Sequence, residues 1–140
     1  ESMAYNFLST DCIVCAVMDA RCSQVYNALF EIKNGVVTRL CDDRALSLDD
    51  LKNELLSVDG RIIIAGDGTD ITCKYIGNEI KNAESAPVNL KYQRASSTAL
   101  VAVEIINNGQ TVSAQELMPV YLRLPQAQRE LNKKLGGRTK

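Results

Sequence analysis

Acidic residues follow two predicted strands, at positions where α/β proteins often bind ligands. Asp19 comes directly after an apolar run at residues 12–18, and Asp67 follows a second such run at residues 61–65. A strand that is apolar throughout is buried on both faces, and parallel strands bind ligands beyond their carboxyl ends. We therefore predict that Asp19 and Asp67 lie at the ends of neighbouring strands.

Two carboxylates at such an edge could hold Mg²⁺ ions for a metal-dependent nuclease. That site needs a third or fourth acidic group, and the intervening predicted helix offers Asp49, Asp50 and Glu54. The alternative is that Asp19 and Asp67 are ordinary turn residues, because aspartate hydrogen-bonds its own backbone in turns. The spacing alone leaves both interpretations open.

Charge and composition exclude several classes of function. The 140 residues carry a net charge of −1 and form one domain, and this charge argues against nucleic-acid or membrane binding driven by the domain's own field. No apolar run approaches the roughly 20 residues that span a bilayer, and no signal peptide is visible. The chain has no histidine, which excludes histidine-activated nucleophiles and zinc hydrolases of the H-E-x-x-H type. We expect a cytoplasmic protein.

The five cysteines are predicted to be reduced thiols of the core. Cys12 and Cys15 have C-x-x-C spacing, but positions i and i+3 of a strand point to opposite faces. The pair is therefore not expected to bind a metal or to act as a redox centre.

Antiparallel strands joined by tight turns are predicted in the first third of the chain. Residues 1–10 have helical apolar spacing and are predicted to be the end of a helix. The strand after the Asp19 turn alternates, and one of its faces consists of Tyr26, Ala28, Phe30 and Ile32. Asn34-Gly35 favours a type I′ hairpin turn because both residues accept positive φ, and residues 36–41 are then the third strand.

The remainder is predicted to alternate helices with strands. The predicted segments are a helix at 47–58, a strand at 61–65 parallel to the first, a helix at 69–77, an extended piece at 88–90 and a helix at 95–107. In the last of these helices the residues expected to pack are Ala95, Ala99, Ala102, Val103 and Ile106. Beyond it we predict a short helix capped by Ser113 and Glu116, an extended segment at 120–124 and a terminal helix at 125–135.

This order of elements is the ribonuclease-H-like α/β arrangement, which is also the half-domain of actin-like ATPases and sugar kinases. In those ATPases a turn after the first strand holds phosphate, and a glycine pair after the fourth strand packs on adenosine. The corresponding candidates for a relic nucleotide cleft are Asp19, Arg21, Gly66, Asp67 and Gly68. Phosphate turns are rich in glycine, whereas residues 19–23 contain none. Arg21 could reach an anion or simply form an ion pair.

Several motifs resemble one family more specifically. Met18-Asp19-Ala20-Arg21, followed by residues 24–30, closely resembles the bacterial TsaB (YeaZ) family. Gly66-Asp67-Gly68, residues 119–123 and Ala127 add further matches in the same order, and residues 2–6 are similar to the helix that links the family's two lobes. Tyr26, Tyr121 and Arg123 lie within these motifs and are candidates for structural or interface roles.

The resemblance implies a non-catalytic scaffold with an actin-like fold. Such proteins form homodimers and assist a TsaD-like catalytic subunit and a TsaE-like ATPase. That complex attaches threonylcarbamoyl to the adenosine beside the anticodon of tRNA, so contact with tRNA would be indirect. The resemblance implies no cofactor, no metal and no catalytic residue in this lobe, and no membrane partner.

The resemblance also implies a domain organisation. Residues 1–10 correspond to the end of the interlobe helix and residues 11–140 to the carboxyl-terminal lobe. The amino-terminal lobe and its glycine-rich loop have no counterpart in this sequence. We expect an apolar surface where that lobe would pack, and therefore self-association of this chain.

Overall fold

A computed structural model describes residues 1–123, in which six strands form one mixed sheet. The strands are β1 (Cys12–Asp19), β2 (Gln24–Lys33), β3 (Val36–Arg39), β4 (Arg44–Ser47), β5 (Ile62–Ala65) and β6 (Ala83–Ser85). The helices are a 3₁₀ helix (Ala4–Phe7), α1 (Leu48–Leu55), α2 (Thr69–Ile76) and α3 (Ala95–Asn107). The strand order is β3-β2-β1-β5-β6, with β4 also paired to β2. The ribonuclease-H-like α/β fold class is confirmed.

β1 is the central strand, as predicted. It pairs antiparallel with β2 along its whole length and parallel with β5. Residues 12–17 are buried, because the sheet is covered on both faces. Cys12 and Cys15 lie in different core clusters on opposite faces, which confirms that they cannot form a C-x-x-C site.

The hairpin between β2 and β3 has the predicted geometry. Asn34 and Gly35 have φ values of 52° and 77°, and both positive angles are those of a type I′ turn. Ala28, Phe30 and Ile32 share one face of β2 as predicted. Leu29, on the opposite face, is buried as well, because α1 and α2 cover that side of β2, whereas Glu31 is half-buried.

Helices α1 and α2 cover one face of the sheet. Leu48, Leu51 and Leu55 of α1 pack with Ile76 of α2 and with the apolar residues of β1, β2 and β5. Ser47 caps α1 by accepting a hydrogen bond from the Asp50 amide at 3.0 Å. The predicted start of this helix is therefore found, although it ends three residues before the predicted end at residue 58.

One predicted strand is two residues too long and another is wrong, both for reasons of non-local pairing. The predicted third strand ends at Arg39, and the unpredicted β4 follows because β3 pairs with only four residues of the ten-residue β2. The predicted extended piece at 88–90 is a turn in which the Leu90 amide donates to the Pro87 carbonyl. The strand in this region is instead β6, which pairs parallel with β5.

The predicted helix end at residues 1–10 is a single 3₁₀ helix. Its residues Ala4, Tyr5 and Phe7 are buried, and Ala4 and Phe7 join Met3 on the sheet face opposite α1 and α2. A short buried 3₁₀ helix therefore covers this face of the sheet.

Helix α3 has the predicted bounds, but the packing predicted for it is wrong. Ala95, Ala99, Ala102, Val103 and Ile106 are all exposed, and Ser97 is the residue of α3 that is buried among residues 1–123. The large apolar side chains of α3 face outward because its inner side meets the 3₁₀ helix rather than the sheet.

The segment after α3 contains less regular structure than predicted. Ser113 and Glu116 bond to each other as in a capping box, yet they enclose one turn and no helix. Residues 120–123 have no strand partner among the described residues. The predicted terminal helix at 125–135, including Ala127, lies outside the described residues. No helix among residues 1–123 is long and apolar enough to cross a membrane.

The exposed apolar side of α3 predicts self-association of the purified chain. Burying this side against another molecule would remove large apolar surface from water. We expect light scattering to show species larger than a monomer at high concentration. Val103→Glu should weaken the association, whereas Val36→Glu, an equivalent charge change on the exposed edge strand β3, should not. A monodisperse monomer at high concentration would contradict the prediction.

Candidate functional site

The turn between β1 and β2 is built from left-handed backbone. Arg21, Cys22 and Ser23 have φ values of 64°, 55° and 56°, a conformation that costs about 1–2 kcal/mol for each residue other than glycine. The turn is closed by a hydrogen bond from the Ala20 amide to the Gln24 carbonyl at 3.0 Å. Cys22 is exposed, so it is not the core thiol that the sequence predicts.

Asp19 stabilises this turn with its own carboxylate. Its Oδ1 accepts a hydrogen bond from the Arg21 amide at 2.7 Å, and its Oδ2 pairs with the Arg21 guanidinium at 3.2 Å. The Arg21 side chain is 86% exposed, so this ion pair contributes little free energy. The carboxylate works here as a local turn acceptor.

The Gly66-Asp67-Gly68 loop lies directly against the end of β1. A side chain at Gly66, whose φ is 118°, would place its Cβ 1.9 Å from the Val17 carbonyl oxygen. A Cβ at Gly68 would lie 3.2 Å from the Asp19 amide nitrogen. Asp67 Oδ1 accepts a hydrogen bond from that same amide at 3.1 Å. The structure therefore brings together Asp19, Arg21 and the Gly66–Gly68 loop.

The surrounding groups do not assemble into a two-metal site. The three acids offered by the predicted helix are engaged elsewhere: Asp49 with Tyr75, Asp50 with Ser47 and Glu54 with Arg44. Among residues 1–123, no group of three or more acidic, cysteine or histidine residues is placed to hold a metal ion. The geometry thus gives no support to the nuclease hypothesis.

The loop is also a poor cradle for phosphate. The Gly68 amide donates to the Val17 carbonyl and the Thr69 amide to the Gly66 carbonyl, so these donors are occupied. Asp67 and Asp70 add negative charge at the start of α2. Lys91 pairs with Asp70 at 2.6 Å, and this pair raises the pKa of the lysine. An anion at this place would meet the carboxylate of Asp67, while Lys91 is already paired with Asp70.

A neighbouring cavity of about 380 Å³ opens beside the end of β1 and the start of β2. Its lining includes Met3, Met18, Tyr26, Tyr121, Leu122 and Arg123. The guanidinium of Arg123 donates to the carbonyl of Ala20 and so fastens residues 120–123 to the β1–β2 turn. The sequence singled out Arg123 but not this partner, which lies 103 positions away.

Because Gly66 lies so close to β1, we expect alanine at this position to reduce the free energy of unfolding more than alanine at Gly60 does. Gly66→Ala should lower the free energy of unfolding by more than about 2 kcal/mol, because the new Cβ meets backbone and φ is positive. Gly60 also has positive φ but nothing within 4 Å of an added Cβ, so Gly60→Ala should cost about 1 kcal/mol. Urea denaturation measures both, and equal losses would contradict the packing argument.

Comparison with known proteins gives one curated relative and related structures. No protein-family model matches the chain. It is 26% identical over 129 residues to the tRNA threonylcarbamoyladenosine biosynthesis protein TsaB of Bacillus subtilis (strain 168). That alignment covers 91% of this chain and 55% of TsaB.

Two solved structures share the fold. YeaZ from Pseudomonas aeruginosa is 21% identical with a TM-score of 0.54, over 86% of this chain and 53% of YeaZ. A second crystal structure, described as an uncharacterized protein with similarity to peptidase YEAZ from Pseudomonas aeruginosa, is 18% identical with a TM-score of 0.63. It is matched over 87% of this chain and 55% of its own length.

The chain spans about half the length of each protein that it matches. Such partial coverage fits one lobe of a two-lobed protein, as the motifs at Asp19, Asp67 and residues 119–123 predict. The comparisons confirm the resemblance: this chain is similar to TsaB and YeaZ proteins over most of its length, and the coverage fits a carboxyl-terminal lobe.

Proposed function

We propose that this chain serves the formation of N6-threonylcarbamoyladenosine in tRNA as a non-catalytic scaffold lobe. The observation that carries the proposal is the similarity to a TsaB protein along nearly the whole chain. The fold shared with YeaZ agrees with it. In this proposal the chain organises a complex and the chemistry belongs to its partners.

The geometry of the candidate site supports a non-catalytic role. The Asp67 carboxylate accepts from a backbone amide and the Asp19 carboxylate holds its own turn, so each has a structural function. One structural relative is described by its similarity to a peptidase. This chain has no histidine to activate a nucleophile, and burial raises the pKa of the Cys15 thiol to about 12. We propose no catalytic residue, metal or cofactor for this lobe.

The proposed partners are proteins. They are a TsaD-like catalytic subunit, a TsaE-like ATPase and a second copy of this chain, with tRNA contacted through the complex. Exposed apolar side chains on α3 and at residues 117–121 support protein contacts, since isolated monomers rarely expose large apolar patches. A cytoplasmic location follows from the tRNA substrate of the proposed complex.

Reconstitution with purified partners tests the function. We expect the chain to bind a TsaD-like subunit in calorimetry and to increase threonylcarbamoyladenosine in tRNA, measured by mass spectrometry of nucleosides, when TsaD-like and TsaE-like subunits are present. The chain without the TsaD-like subunit should produce none. Modification by the chain alone, or neither binding nor stimulation, would overturn the proposal.

The relic cleft predicts no tight binding of nucleotide or magnesium. The Asp67 carboxylate repels phosphate, Lys91 is already paired with Asp70, and the carboxylate of Asp19 is already bonded to the Arg21 amide. Titration calorimetry of the chain with ATP, with and without Mg²⁺, should therefore detect no micromolar affinity. Micromolar binding that disappears in Asp19→Ala, but persists in Asp42→Ala at an exposed position outside the cleft, would establish a nucleotide site instead.

A further inference from the structure

We propose that α3 is a latch helix, held to the domain by side-chain hydrogen bonds from the 3₁₀ helix and able to open without unfolding the sheet. The proposal concerns a conformational device of this chain. It does not depend on which partner the domain serves.

The packing of α3 differs from that of α1 and α2. Three leucines of α1 and Ile76 of α2 belong to the hydrophobic cluster on one face of the sheet. No residue of α3 belongs to either hydrophobic cluster found within residues 1–123. The principal neighbour of α3 is the 3₁₀ helix. Apolar burial, which anchors the other two helices, therefore contributes little to the position of α3.

Two side-chain hydrogen bonds take the place of that packing. The Tyr5 hydroxyl donates to the Glu104 carboxylate, and the Ser97 hydroxyl donates to Asn6 Oδ1 at 2.6 Å. Ser97 and Glu104 are seven residues apart and so lie on the same side of α3, two turns from one another. The two hydrogen bonds therefore hold the helix at two points along one face.

The side chains that form these hydrogen bonds are positioned by the domain itself. Tyr5 is 7% exposed and Ser97 is 5% exposed, so both donors are buried, whereas the Glu104 acceptor is exposed to water. Burial and the Glu104 carboxylate raise the pKa of Tyr5 well above its usual range, which keeps the hydroxyl protonated as a donor. Asn6 in turn donates to the carbonyls of Leu90 and Tyr92, at 2.8 and 2.9 Å, and so joins the latch to the loop before α3.

Few contacts of α3 oppose its opening. Glu104 is the one charged residue of the helix and it is engaged by Tyr5. When the two hydrogen bonds break, α3 loses few apolar contacts, whereas displacement of α1 would expose three buried leucines. Elements with few buried apolar contacts open at lower free energy than the core.

Hydrogen exchange of the complete chain, followed by mass spectrometry, tests the latch. In the native protein we expect the amides of α3 to exchange faster than those of β1 and β5. Tyr5→Phe removes the donor to Glu104 and should raise the exchange rates in α3 about tenfold, while the rates in β1 and β5 stay unchanged. Ser97→Ala should act in the same direction through the second hydrogen bond.

Tyr75→Phe is the matched control. Tyr75 lies on the surface of α2 and its hydroxyl donates to Asp49 of α1, away from the latch, so this variant should leave α3 exchange unchanged. The proposal is overturned if α3 in the native protein exchanges as slowly as β1. It is equally overturned if both latch variants leave α3 unchanged, or if they raise exchange in α3 and β1 by the same factor, because α3 would then be part of the cooperative core.

Discussion

The burial of β1 between β2 and β5 is the constraint on which the rest of the structure depends. Because β1 pairs antiparallel with one neighbour and parallel with the other, the β1–β2 turn and the loop after β5 meet at one edge of the sheet. Gly66 then approaches the Val17 carbonyl so closely that no side chain fits. The candidate site is a direct consequence of this strand arrangement.

The same proximity decides the chemistry of the site. Because the two loops are in contact, the Asp67 carboxylate accepts a hydrogen bond from the Asp19 amide. The Asp19 carboxylate accepts one from the Arg21 amide within the β1–β2 turn. The two acidic residues therefore hold the loops in place. The Asp67 carboxylate, which lies just before α2, also opposes an anion at the start of that helix. These contacts support the proposal of a scaffold rather than an enzyme.

The two faces of the sheet are covered in different ways, and this gives the domain an unequal stability. Apolar side chains from α1 and α2 pack against one face, and a 3₁₀ helix of four residues packs against the other. Helix α3 stands outside that second layer, bound through Tyr5 and Asn6. Its apolar outer side suits contact with another protein, as the proposed scaffold role requires.

Local patterns determined much of the fold. The apolar run of β1, the Asn34-Gly35 turn, the Ser47 cap and the bounds of α3 were readable from neighbouring residues, because periodicity, positive φ and capping act over a few positions. The acidic residues at the strand ends and the family motifs were readable for the same reason. Together they were sufficient for the fold class and for the location of the candidate site.

Only the tertiary structure decided the features that depend on distant partners. On the side of β2 that faces away from β1, β3 pairs with only the last four residues, and β4 pairs with the first four. β6 forms because it pairs with β5, and no apolar pattern marks it in the sequence. The exposure of α3 likewise depends on distant partners, and the contacts of Arg123 with Ala20 and of the Asp67 carboxylate with the Asp19 amide join residues far apart in sequence. Residue types specify which bonds a segment can make, but the free energy of the whole sheet decides which of them form.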